Sequence, residues 1–173
     1  SIEVTAYFEF PDKLKQSIST PNGNVSMVYN SGKTAMLLPE NKKMSLPREF
    51  VKELESGLIT NPIALATDYQ DNFLVSFVEE KKISDKTFYI LSFSDEYDEF
   101  LLFIDKNSML PYQSIQLKAN MSGETKVYNV FDSYVNIDGI NYPNKIVMRD
   151  EHGKTLSESF YSDIQFNIEL PEN

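Results

Sequence analysis

Among 173 residues there is one histidine and no cysteine, which narrows the chemistry the chain can do before any fold is considered. His152 stands in Glu151-His152-Gly153, a combination that reads as a hairpin tip, where polar residues are ordinary turn formers. A zinc site built from two histidines at helical spacing cannot exist with one. A Ser/His/Asp relay would need this turn histidine as its base, and no Gly-x-Ser-x-Gly elbow presents a serine to it. Asp95, Glu96, Asp98 and Glu99 form an acidic run that could in principle bind calcium or share a proton. The run lacks the glycine-bearing spacing of a calcium loop, and charges between strands are usually solvated. The absence of cysteine removes thiolate nucleophiles, thiolate zinc ligands and disulfides, and leaves the redox compartment open. The six glycines fall almost entirely in turn contexts, so no phosphate-cradling loop is present. Asn24 and Asn120 head two Asn-x-Ser sequons, which arise often by chance. No catalytic residue, metal ligand or cofactor is predicted, and the expectation is a protein that is not an enzyme.

What remains is a supply of large apolar side chains. Phe8, Met27, Phe77, Leu91, Phe103, Phe131 and Phe160 have the size that lines an apolar cavity. The same residues could simply fill a core, and alternation alone does not say which. Tyr and Phe are plentiful while Trp is absent, a composition that favours strands.

The elements that would carry these residues follow from period and punctuation. Ile2, Val4, Ala6, Phe8 and Phe10 alternate with polar residues or Tyr7, placing one apolar set on one face of a strand. Pro11-Asp12, Pro21-Asn22-Gly23 and Asn30-Ser31-Gly32 punctuate three further strands, so the first forty or so residues read as a four-stranded meander. The period then changes. Phe50, Val51 and Leu54 fall at helical spacing over Arg48 to Ser56, with Gly57 as a stop. Asn61-Pro62 opens a second short helix from Ile63 to about Thr67. Neither is long enough to be stable alone, so both must pack on a sheet; Phe50 and Leu54 would line its covered side. Strands resume at Phe73 and continue past Ser84-Asp85, Asp105 to Ser108, Met121-Ser122-Gly123, Asp138-Gly139 and His152-Gly153. The last third, Lys126 to Leu170, reads as a meander of three long strands. The reading is mainly β: a large curved antiparallel sheet, an incomplete up-and-down barrel of about eleven strands with two short helices inserted as a lid.

Length is consistent with a single domain over residues 1–173. A formal charge of −10 repels nucleic acid and anionic headgroups at long range, so nucleic-acid binding is not expected. No run approaches the roughly eighteen apolar residues of a transmembrane helix, and no basic segment followed by an apolar one precedes the first strand. Because the sequence starts inside a strand-like alternation, it is expected to be a mature form or an excised domain.

Phe131-Asp132-Ser133-Tyr134, followed by Ile137-Asp138-Gly139-Ile140-Asn141-Tyr142-Pro143 and by Asn167 before Ile168 to Pro171, resembles the LolA-like superfamily of envelope proteins. The similarity is to versions of that domain found as lipoprotein-sorting proteins or attached to insulinase-type zinc peptidases. It extends upstream through Tyr7 to Leu14, Asn22-Gly23, Ile104-Asp105 and Leu110-Pro111, so matching segments span nearly the whole chain. The resemblance implies an incomplete barrel of antiparallel strands with helices as a lid, and a periplasmic or other cell-envelope location. Two departures stand out. The family begins with a helix and a strand before the segment matched by Ile2 to Phe10, which implies truncation at the N-terminus. No arginine occupies the early strands where the lipoprotein carrier holds its lid shut. The inverted histidine, glutamate, histidine motif of a zinc peptidase is also absent.

Two functions from different classes follow. One is a non-enzymatic envelope domain that binds a lipid, acyl chain, lipoprotein or other hydrophobic ligand on the concave face of a half-barrel. The other is a protein-interaction module fused to or associated with a zinc peptidase, with no ligand of its own.

Overall fold

The computed structural model describes residues 2–9, 12–21, 23–39, 42–59, 61, 73–95, 99–120 and 123–168. They form twelve strands and one helix, in two compact units. The first unit holds β1 (Val4–Glu9), β2 (Lys13–Thr20), β3 (Gly23–Asn30), β4 (Lys33–Leu37), β5 (Lys43–Met44) and α1 (Arg48–Ile59). Its sheet is antiparallel, with the strands in sequence order from β1 to β5. Two-residue turns set the register. Ser31 and Gly32 both have positive φ, 47° and 79°, the twist that a two-residue hairpin loop needs to match its strands. Gly23 has a φ of 110°, which L side chains rarely adopt, and a Cβ there would lie a tight 3.3 Å from the Pro39 ring.

Directly opposed residues share a face, so the pairs Phe8–Leu14, Leu14–Tyr29 and Gln16–Met27 put Phe8, Leu14, Met27 and Tyr29 together. Met27, Met36 and Met44 form one cross-strand row on that same face. α1 supplies Val51, Leu54 and Leu58 against it, a spacing that makes one stripe of a helix. The helix continues through Gly57 to Ile59, two residues past Gly57 and three beyond the expected end at Ser56. The reason is Leu58, which is buried; burying a leucine outweighs the roughly 1 kcal/mol that glycine costs inside a helix.

The second unit holds β6 (Leu74–Ile83), β7 (Lys86–Ser94), β8 (Glu99–Asp105), β9 (Pro111–Asn120), β10 (Gly123–Ile137), β11 (Ile140–Arg149) and β12 (Thr155–Phe160). They form a seven-stranded antiparallel sheet in sequence order. Asp138-Gly139 closes the β10–β11 hairpin with positive φ at both residues. Its centre is buried on both faces. Phe93 opposes Phe100 on one face, their rings stacked at 4.9 Å; on the other, Ile90 opposes Phe103 and packs with Phe88. The buried Ser114 lies opposite Asn129, whose amide donates to its hydroxyl at 3.3 Å. Both edge strands, β6 and β12, are exposed along their length.

Several expectations are corrected. The described residues form twelve strands rather than about eleven, because Lys43–Met44 adds a two-residue β5 too short to show a period. The strands divide between two sheets rather than forming one, and neither sheet closes on itself. Of the final meander, β10 has 15 residues and β11 has 10, while β12 has only 6. Among the described residues α1 is the one helix; the second, expected from Ile63 to Thr67, lies outside the described residues.

Candidate functional site: an apolar sheet face beneath a helix

In the first unit the sequence needs somewhere to hide an apolar face, and a twelve-residue helix is what it uses. α1, about 18 Å long at 1.5 Å per residue, is near or below the length at which an isolated helix holds in water. Its stability therefore comes from packing. Leu14, Met27, Tyr29 and Leu58 form the buried centre, with Ala6, Phe8, Leu46, Val51 and Leu54 around it. A polar tie crosses this apolar contact: the Tyr29 hydroxyl donates to Glu55 Oε1 at 3.1 Å. The arrangement offers an apolar sheet surface with a helix packed over it.

Three of the sequence-predicted residues, Phe8, Met27 and Leu54, meet here. Phe50, in the first turn of α1 and at the margin of the stripe made by Val51, Leu54 and Leu58, is 40% exposed. The other five lie in the second unit and divide between the two faces of its sheet. Leu91 opposes Phe77 on one side and Leu102 on the other, and Phe131 follows two residues after Asn129 on that same face. Phe103 is on the opposite face beside Phe88 and Ile90, and Phe160, paired with Lys145, shares that face. Phe77 and Phe160 sit on the edge strands at 62% and 72% exposure. Leu14 and Tyr29 are members of the apolar face that a list of large residues passes over. Their signal was register: Leu14 is the apolar residue of a polar strand that falls opposite Phe8 once the intervening turn is closed.

The residues considered for chemistry sit as follows. His152 is at the β11–β12 tip with 82% of its side chain exposed, 3.8 Å from Glu151, in a loop organised by Asp150 Oδ1, which accepts from the amides of His152 and Lys154. Glu96 and Asp98 lie outside the described residues. Among the described residues no group of three His, Asp or Glu could hold a metal ion, and no helix is long and apolar enough to cross a membrane. The shifted tyrosines are structural: burial raises the Tyr134 phenol, which donates to the Pro111 carbonyl at 2.6 Å.

No family model and no curated protein matches the chain. Solved structures similar to it include the following two. One is a LolA superfamily protein from Nitrosomonas europaea, at 15% identity and a TM-score of 0.50, covering 93% of this chain and 83% of that one. The other is a Vibrio parahaemolyticus domain assigned to outer membrane lipoprotein sorting, at 12% identity and a TM-score of 0.55, covering 96% of this chain and 79% of that one. Sequential antiparallel strands interrupted by a helix-bearing segment, together with these two likenesses, show that the chain has a LolA-like fold.

Proposed function

We propose that residues 1–173 act as one non-enzymatic domain of the cell envelope, in the periplasm, holding a lipid, an acyl chain or the lipid portion of a lipoprotein against the apolar face of the five-stranded sheet beneath α1. The observation that carries this reading is the cover itself. An apolar sheet face with three buried residues, Leu14, Met27 and Tyr29, is closed by a helix too short to stand alone, which adds the buried Leu58. A chain of methylenes offers the same apolar contact as Val51, Leu54 and Leu58, so an incoming acyl chain can replace the helix without leaving the face wet. The likeness to a lipoprotein-sorting domain supports the class of ligand. A peptidase partner is not favoured, since the likenesses are to a LolA superfamily protein and a lipoprotein-sorting domain.

Displacement of a dansyl-labelled fatty acid by palmitate, with native mass spectrometry of the extracted protein, tests the reading. Saturable displacement is expected, weakened at least about tenfold by Met27→Lys, which places a charge in the apolar face, and unchanged by Phe160→Ser on the other sheet. Absence of saturable displacement, with no lipid carried through extraction, would overturn it.

A further inference from the structure

The other face of the five-stranded sheet has a different composition. Pairing of Lys13 with Asn30 and Lys33, of Lys15 with Val28 and Ala35, and of Lys43 with Leu37 and Ser26 puts all four strand-borne lysines of this sheet on one side, opposite to Leu14, Met27 and Tyr29. The five strands contain one carboxylate, Glu9, which shares that side and pairs with Lys13 at 2.6 Å. No described strand residue on this face is buried. A depression of about 450 Å³ is lined by Val28, Asn30, Ser31, Lys33, Thr34 and Ala35, with Lys33 the one lysine in its lining and the Ser31 hydroxyl donating to the Asp12 carboxylate. The face stands out against the charge of the chain. Residues 1–70 carry seven Lys and Arg against eight Asp and Glu, whereas residues 71–169 carry nine against seventeen, so the negative charge is concentrated in the second unit.

We propose that this lysine-bearing face docks on an anionic lipid bilayer. Its cations are all lysines, with no arginine among them. Protein interfaces are enriched in arginine and depleted in lysine, whereas lysine is a strongly hydrated point charge on an apolar stem, suited to a headgroup layer that presents many phosphates and no fixed geometry. Val28 and Ala35 between the lysines give the stems and the interfacial methylenes an apolar floor. The docking needs no cargo and does not depend on how the opposite face is occupied.

Co-sedimentation with vesicles tests it, using phosphatidylglycerol–phosphatidylcholine vesicles against pure phosphatidylcholine ones, with no fatty acid present. The protein is expected to sediment with the anionic vesicles only, and to be released as salt shortens the range of the charges. Each lysine near such a surface contributes about fivefold to partitioning, so Lys15→Gln with Lys33→Gln should weaken binding about 25-fold. Lys81→Gln with Lys82→Gln, on the second unit, should leave it unchanged. Equal binding to neutral vesicles, no binding to anionic ones, capture by polyglutamate in place of vesicles, or full binding by the Lys15/Lys33 double variant would each overturn the proposal. Because cargo is absent throughout, failure here leaves the fatty-acid displacement result standing on its own.

Discussion

Tyr161 leaves β12 and folds back on β11: its amide donates to the Asn144 carbonyl at 2.7 Å and its ring meets Tyr142 edge-on at 5.8 Å. Burial pushes its phenol up to about 12, against about 10 in an unfolded chain. The folded state therefore keeps a proton that the unfolded state gives up. Stability from this group is full below pH 10 and falls as pH rises from 10 towards 12. Thermal unfolding of Tyr161→Phe from pH 8 to 11 should show a shallower decline above pH 10 than the unchanged protein; parallel declines would assign the loss to other groups. Residue size was what the sequence made legible about the candidate site. It found Phe8 and Met27, which do meet, and equally Phe77 and Phe160, which stand on edges. An apolar residue in an alternating strand looks the same whether a neighbouring strand covers it or solvent does.

α1 shows how element boundaries depend on packing. Glycine as a stop is a local rule, and Leu58 one residue later belongs to the core under it, so tertiary burial carried the helix past Gly57. Leu58→Ala should cost about 2–4 kcal/mol in urea unfolding, while Phe50→Ala, at an exposed position of the same helix, should cost less than about 1 kcal/mol. Similar losses at the two positions would contradict the packing of Val51, Leu54 and Leu58 on the sheet. Hairpins were legible wherever alternation met a two-residue turn, as at Ser31-Gly32 and Asp138-Gly139. Faces were not legible in β7 to β9, because Phe88, Tyr89, Ile90 and Leu91 are apolar in succession and a sheet buried on both sides leaves no contrast for a period of two to display.

Across the whole molecule, sequential strand order followed from short connections, while the division into two sheets did not. It is set by the stretch that carries α1, where pairing from β5 onward is interrupted, and no local pattern states whether a strand after an insertion rejoins the earlier sheet. Charge is also a whole-chain property. With a net −10 unevenly shared, the folded chain repels itself, and salt screens that repulsion over about 10 Å at 0.1 M. Melting temperature is therefore expected to rise between 10 mM and 200 mM sodium chloride by a few degrees; a flat or falling dependence would show that local ion pairs such as Lys106–Glu80 outweigh the net charge.

The cross-strand row Met27, Met36 and Met44 has a consequence of another kind. Thioether chains are soft and conform to irregular partners, and they are also the side chains that peroxides convert to polar, chiral sulfoxides. Exposure grades along the row, from Met44 at 47% through a half-buried Met36 to a buried Met27. Oxidant reaches Met44 first and Met27 last. Each sulfoxide formed along the row would make that sheet face more polar, and sulfoxide reduction would restore it.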